Sequence, residues 1–95
     1  MGFWYRFRRI QRSFWHLCYE CLRQNGNQAE GAIFYYDGPP VEHLGRRHVQ
    51  CPRCGALNTR SFQFLKDEGM EAVLFGLERI VKSNPRSRFE VKPSA

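Results

Sequence analysis

Length, composition and charge set the first limits on this chain. Its 95 residues provide room for one domain, and 15 lysines and arginines against 9 aspartates and glutamates give a formal net charge of +6. A domain of this size buries only about two-thirds of its unfolded surface, and no apolar run approaches the roughly 20 residues that span a bilayer. These values exclude a large hydrophobic core, so we expect a metal or disulfides to stabilise the fold.

The location of the charge is more informative than its sum. Residues 1–19 carry four arginines and no acid, and residues 79–95 also sum to +4, whereas residues 20–78 sum to −2. Exposed cationic segments neutralise phosphates without reading bases. We therefore expect the two ends to contact nucleic acid, and the predicted contacts there are Arg6, Arg8, Arg9, Arg12, Arg86 and Arg88.

The first segment has the pattern of a basic amphipathic helix. Helical spacing over residues 3–17 places five apolar side chains on one face and the four arginines on the remaining arc. The apolar side chains are Phe3, Phe7, Ile10, Phe14 and Leu17. This face could pack on the rest of the chain, dock on a protein partner or lie on a membrane surface. We assign residues 1–15 to this basic aromatic helix and leave the three alternatives open.

The middle of the chain, residues 16–65, is predicted to form a small β-rich unit. Asn25 and Gly26 indicate a turn, and residues 32–36 are β-branched and aromatic, which predicts a strand. Residues 41–47 are expected to form a loop or a single turn. A further strand is predicted over residues 59–65, where the side chains alternate between apolar and polar.

The hydrophobic period becomes helical over residues 69–83. One face of this segment is apolar and carries Met70, Val73, Leu74, Leu77, Ile80 and Val81. Asn84 and Pro85 end the helix, since proline disfavours a helical residue before it. We therefore predict an amphipathic helix over residues 66–84 and a basic flexible tail over residues 85–95.

Four cysteines supply the strongest chemical signal. They form two C-x-x-C pairs, Cys18 with Cys21 and Cys51 with Cys54. Each such turn directs two thiolates toward one point, and two turns complete the sulfur tetrahedron that Zn²⁺ prefers. We predict one structural Zn²⁺ bound by all four. Paired thiolates are typical of a reducing compartment, so we expect an intracellular protein, either cytoplasmic or in the nucleoid or nucleus.

The cysteine pairs allow two alternative chemistries. A redox dithiol at Cys51 and Cys54 would need a long helix after the first cysteine in a βαβ context, but Gly55 and a strand-like sequence follow. His16 and His48 each precede a cysteine and could replace a ligand, although four cysteines already complete the shell. A closed shell leaves no coordination position for an activated water, so we expect no enzyme activity.

The C-P-R-C-G run that starts at Cys51 resembles the knuckle of the zinc-ribbon superfamily, which occurs in transcription factors, RNA polymerases and ribosomal proteins. The resemblance covers residues 17–65, about half of the chain. It departs from the pattern in two ways: Leu22 replaces a glycine after the first pair, and 29 residues separate the pairs. The resemblance implies a small α+β zinc ribbon with a three-stranded antiparallel sheet and two zinc knuckles, here flanked by two amphipathic helices.

Two functions fit these features. The first is a non-catalytic zinc module that binds nucleic acid or a nucleoprotein machine of transcription or translation through its basic termini. Arg53 and Arg60, beside the second pair, would contact phosphate or offset the negative charge of the zinc–thiolate site. The second is a protein-binding adaptor or regulator, such as a phage or bacterial inhibitor of a host machine, that uses its amphipathic helices.

Aromatic residues of the predicted strands leave a further alternative open. They could form a stacking platform for unpaired bases, or they could be the core of a small domain. The residues concerned are Tyr35, Tyr36, Phe62 and Phe64.

Overall fold

Five short strands and three helices build the part of the chain that the computed structural model describes, residues 10–83. The strands are β1 (Trp15–Cys18), β2 (Ile33–Tyr35), β3 (Val41–His43), β4 (Arg46–His48) and β5 (Thr59–Ser61), and the helices are α1 (Tyr19–Gln24), α2 (Phe62–Asp67) and α3 (Glu71–Ser83). A single 3₁₀ turn, Ala29–Gly31, precedes β2. The architecture is therefore α+β with antiparallel sheets.

Strand β1 is the centre of the main sheet. The strand order is β2–β1–β5, and both pairings are antiparallel. Leu17 of β1 lies opposite Ile33 of β2 on one side and Arg60 of β5 on the other. All four residues of β1 are buried. A central strand covered on both faces needs no polar alternation, which explains its uninterrupted sequence of large side chains.

The prediction of a helix over residues 3–17 is wrong for the end of that range, where the chain forms strand β1. The amides of Phe14 and Trp15 donate to the carbonyl of Gln11 at 2.9 and 3.2 Å, which makes a turn. The extended strand β1 begins directly after it, at Trp15. Pairing with strands on both sides overrides the helical period, because propensity is a weak prior against tertiary contacts. The first part of the predicted helix, residues 1–9, lies outside the described residues, as does the predicted tail.

The prediction of a loop or single turn over residues 41–47 is also wrong. This segment forms most of a two-stranded hairpin in which Glu42 of β3 lies opposite Arg47 of β4. Leu44 and Gly45 connect the strands with φ angles of 53° and 77°. Two successive positive φ values define the tight turn that suits twisted strands. Leucine rarely adopts this conformation. Of the two residues in the turn, only Gly45 is therefore of a type that predicts a hairpin.

The strand predicted over residues 59–65 ends after three residues. The hydroxyl of Ser61 accepts a hydrogen bond from the amide of Phe64 at 3.0 Å and thereby caps helix α2. The helical turn buries Phe62 and Leu65, which are three positions apart, and leaves 42% of Phe64 exposed. The alternating pattern therefore comes from a short strand followed by an amphipathic turn.

Helix α3 lies within the range for which the hydrophobic period predicts a helix. It follows Gly69, whose φ of 77° reverses the chain between α2 and α3. The buried side chains of β1, β2, α2 and α3 join three of the cysteines in one core: Trp15, Leu17, Cys18, Cys21, Ile33, Phe34, Cys51, Phe62, Leu65, Leu74, Leu77 and Val81. None of the helices between residues 10 and 83 has the length and apolar character needed to cross a bilayer.

Candidate metal centre

The four cysteine sulfurs lie together at the edge of the core. Their Sγ atoms all fall within 4.8 Å of one another. Cys18 Sγ is 3.6 Å from Cys54 Sγ, and Cys21 Sγ is 3.7 Å from Cys51 Sγ. Sulfurs about 2.3 Å from a tetrahedral Zn²⁺ are about 3.8 Å apart, whereas bonded sulfurs are about 2.05 Å apart. These distances fit four metal ligands. The cluster is a candidate zinc site.

The first cysteine pair is held by the junction of β1 and α1. Cys18 is the last residue of the strand, and its Sγ caps the helix by accepting a hydrogen bond from the amide of Cys21 at 3.4 Å. The helix then continues through Leu22, which packs against the core. Because the chain stays helical after the second ligand, no left-handed residue is needed there. This accounts for the leucine where the ribbon pattern has glycine.

The second pair lies in a tight loop. The amide of Gly55 donates to the carbonyl of Cys51 at 2.9 Å, and the amide of Cys51 donates to the carbonyl of Ala56 at 3.0 Å. Gly55 has a φ of 78°, the left-handed conformation that the sequence pattern predicts at this position. The amide of Arg53 points at Cys51 Sγ at 3.4 Å. Amides aimed at sulfur stabilise the thiolate form and orient the ligand.

Burial makes this cluster unfavourable for thiolates in the absence of a cation. Cys18, Cys21 and Cys51 are buried and Cys54 is exposed. Burial raises the pKa of the Cys18 thiol to about 11 and also raises the pKa of Cys21. Burial acts in the same direction on Cys51, but hydrogen bonds from the amides of Cys54 and Arg53 and with the thiols of Cys21 and Cys18 together lower the pKa of Cys51. A divalent cation would supply the missing positive charge, so the donor set fits Zn²⁺.

Arg53 holds the second cysteine loop against the sheet. Its guanidinium donates to the carbonyl of Gly31 at 3.2 Å and to the carbonyl of Ile33 at 2.9 Å. The side chain therefore links the loop between the last two ligands to the start of β2. This internal role is distinct from the phosphate contact predicted for Arg53.

The other predicted contacts fall in three different settings. Arg12 pairs with Glu78 of helix α3 at 2.7 Å. The guanidinium of Arg60 lies over the ring of Phe64, 5.2 Å from its centroid, and Nη1 donates to the carbonyl of Thr59 at 2.8 Å. The remaining five lie outside the described residues: Arg6, Arg8, Arg9, Arg86 and Arg88. The structure thus brings the four candidate metal ligands together, and among the described contact residues it gives Arg12, Arg53 and Arg60 different partners.

His16 does not join the metal site. Its ring is buried and stacks on Phe34, with centroids 5.2 Å apart and an interplanar angle of 24°. Its Nε2 lies 3.3 Å from the carbonyl oxygen of Tyr36, and burial lowers the pKa of the ring. Among the described residues, the metal-ligand cluster contains only the four cysteines. The expectation that His16 and His48 are not ligands agrees with this arrangement.

The aromatic platform considered from the sequence is wrong as a set. Tyr35 and Phe62 both pack on Trp15, at centroid distances of 5.5 and 6.2 Å. The hydroxyl of Tyr36 donates to the carbonyl of Pro39 at 2.8 Å. Only Phe64 presents much of its ring to solvent. These aromatics therefore belong mainly to the core and its margin.

Sequence reasoning missed an open groove that is lined by three arginines. This cavity of about 640 Å³ lies between the β3–β4 hairpin and strand β5, and its wall includes Arg46, Arg47, Arg60 and Phe64. No aspartate or glutamate lines it. The sequence shows that Arg46, Arg47 and His48 are consecutive. A loop prediction for this segment does not indicate that these residues lie close to Arg60. We call this cavity the arginine groove.

Comparison of the chain with protein-family models, with curated proteins and with solved structures finds no match. The assignment of the site therefore depends on the sulfur geometry and the donor chemistry. Those observations support a four-cysteine metal site.

Proposed function

We propose that this chain is a non-catalytic zinc-ribbon module that binds nucleic acid or a nucleoprotein machine. The observation that carries the structural-zinc part is the set of four cysteine sulfurs within 4.8 Å of one another. Four thiolates fill the coordination shell of Zn²⁺, which leaves no position for an activated water. The metal then contributes folding free energy of about 10–16 kcal/mol instead of chemistry. A reducing cytoplasm, nucleoid or nucleus would keep these thiols available.

The distribution of charge supports nucleic acid as the partner. Residues 1–19 and 79–95 each sum to +4, while the chain between them sums to −2. Since Arg12 and Arg53 make internal contacts, phosphate binding would rest on the arginines outside the described residues and on those of the arginine groove. Such binding is strongly salt-dependent and only weakly sequence-dependent.

A titration of labelled nucleic acid tests this function. The full-length, zinc-loaded chain is titrated into fluorescein-labelled oligonucleotides of several sequences, and anisotropy is measured over a range of salt concentrations. Similar affinities across sequences, with a steep fall in affinity as salt rises, are expected. Anisotropy that does not change at low salt would refute nucleic-acid binding.

Exposed apolar side chains on α3 favour a second candidate, a protein-binding adaptor. Phe75 is 64% exposed, and Val73 of the same helix and Met70 just before it are also exposed. Exposed aromatic and aliphatic side chains on one helix are typical binding hot spots. Pull-down of the tagged chain, with and without nuclease, separates the two candidates. Partners that survive nuclease and are lost with the Phe75→Ser variant would favour the adaptor.

A further inference from the structure

We infer that the arginine groove is a binding site for single-stranded nucleic acid, in which arginines hold the phosphates and Phe64 stacks on a base. This inference rests on the proposed function because it names the binding surface and the form of the ligand. Its basis is a combination of charge, shape and one exposed aromatic ring at the same place in the fold.

Two fixed elements form the groove. The Oγ1 of Thr59 in β5 donates to the carbonyl of Val49 at 2.8 Å, which anchors the end of the hairpin to the main sheet. Cys51 follows two residues after Val49, so the same segment also carries a candidate metal ligand. His16 of the central strand also contributes to the wall. The positions of the arginines therefore depend on a metal-stabilised scaffold.

The charge of the groove has little internal compensation. Its wall contains three arginines and no acidic side chain. Arg47 pairs with Glu42 at 4.0 Å, and both side chains are more than 70% exposed. Ion pairs of this kind contribute about 0–1 kcal/mol. An anionic ligand would therefore meet cations that are only weakly paired.

Phe64 selects the form of the anion. The residue is 42% exposed, and the Arg60 guanidinium lies over its ring at 5.2 Å from the centroid. Aromatic rings and guanidinium planes are the surfaces on which unpaired bases stack, whereas bases inside a duplex are already stacked on each other. A site that combines cations for phosphate with an exposed ring therefore favours a single strand over a duplex.

The test uses the full-length, zinc-loaded chain and a fluorescein-labelled oligonucleotide of about 12 nucleotides, within the range bound by small single-strand-binding folds. Anisotropy is measured with the single strand and with the same strand annealed to its complement. The groove variant is Arg46→Gln with Arg60→Gln. The matched control, Arg23→Gln with Lys66→Gln, removes two charges outside the groove. A Phe64→Leu variant removes the aromatic ring and keeps an apolar side chain.

We expect the groove variant to bind the single strand about tenfold more weakly than the control variant. The slope of log K against log salt should become shallower by about 1.4 for this variant. Each of the two lost phosphate contacts on a single strand contributes about 0.7 to that slope. Phe64→Leu should weaken single-strand binding about tenfold and leave duplex binding unchanged. Zinc content and thermal melting verify that each variant is folded. If Arg60→Gln disturbs β5, the single variant Arg46→Gln, on the exposed hairpin, replaces the double variant in this comparison.

Three outcomes would overturn the inference. Equal losses in the groove and control variants, with binding intact in the wild type, would mean that the ligand contacts arginines elsewhere, and the proposed function would survive. A duplex that binds as well as the single strand, and that is equally sensitive to the groove variant, would contradict the choice of ligand. Absence of binding to either form at low salt would refute both the inference and the proposed function.

Discussion

Arg12 and Glu78 are 66 positions apart in the sequence and form a two-point ion pair. The Nε of Arg12 lies 2.7 Å from Oε2 of Glu78, and its Nη2 lies 3.3 Å from Oε1. The side chains are 38% and 14% exposed, respectively. The pair connects the segment before β1 to helix α3. It therefore fixes where the segment just before β1 meets helix α3.

Replacing Arg12 should change stability more than nucleic-acid affinity. We expect Arg12→Gln to lower the free energy of unfolding by about 1 kcal/mol, because a partly buried bidentate pair is lost and a carboxylate stays behind. A double-mutant cycle with Glu78→Gln in urea denaturation measures the coupling. Additive effects of the two substitutions would show that the pair contributes nothing. A large loss of nucleic-acid affinity with unchanged stability would show that Arg12 contacts phosphate, as the sequence predicts.

Replacing Arg53 should loosen the second cysteine loop. Arg53→Met removes two hydrogen bonds to backbone carbonyls, and we expect a loss of about 1–3 kcal/mol in the zinc-loaded protein. Zinc should also pass to a chelator faster than in the wild type. Arg23→Met is the matched control, since Arg23 lies on α1 and pairs with Glu20 on the surface. Zinc transfer at the wild-type rate would contradict the anchoring role of Arg53.

The hairpin turn offers a stabilising substitution. Leu44 has a φ of 53° and is 87% exposed. Asparagine adopts this conformation more readily, so Leu44→Asn should stabilise the protein by about 0.5–1 kcal/mol. Thermal unfolding measures the gain. Leu44→Ala is the control, because alanine keeps the strain and should give no increase. Equal melting temperatures for the asparagine and alanine variants would mean that the turn conformation is different.

Helix α3 should show a sharp contrast between its two faces. Leu77→Ala removes a buried side chain from the core and should cost about 2–5 kcal/mol. Phe75→Ala, two positions away, removes a larger but mostly exposed side chain and should change stability by less than about 1 kcal/mol. Urea denaturation of both variants gives the comparison. Similar losses in the two variants would mean that Phe75 is covered in solution.

The four-cysteine cluster could be predicted from the sequence because a C-x-x-C spacing brings two sulfurs together locally. Helix α3 could also be predicted, because apolar residues recur at helical spacing over three turns. The central strand β1 could not be predicted. Its residues, Trp15 to Cys18, are all buried, so their sequence lacks the apolar–polar alternation that marks a strand. The hairpin was missed because Leu44 occupies a conformation that favours asparagine or glycine. The arginine groove depends on both of these elements, so its residues could not be brought together in advance.

Removal of the metal should unfold the chain. Three of the four candidate ligands, Cys18, Cys21 and Cys51, belong to the hydrophobic core, and a domain of this size has little stability in reserve. Excess chelator should abolish the folded circular dichroism signal, and added Zn²⁺ should restore it, whereas added Mg²⁺ should not, because Mg²⁺ prefers oxygen ligands. A chelated protein that keeps its melting transition would contradict a structural role for the metal.

Zinc K-edge X-ray absorption of the purified full-length chain tests the metal centre most directly, because it reports the ligands of the bound ion. The expected spectrum has four sulfur neighbours at about 2.3 Å and no nitrogen or oxygen neighbour, with one zinc per chain by elemental analysis. Cys54→Ser, at the exposed ligand, should replace one sulfur by an oxygen or release the metal. A wild-type spectrum with nitrogen or oxygen in the first shell, or a folded chain without stoichiometric zinc, would contradict the closed four-cysteine site.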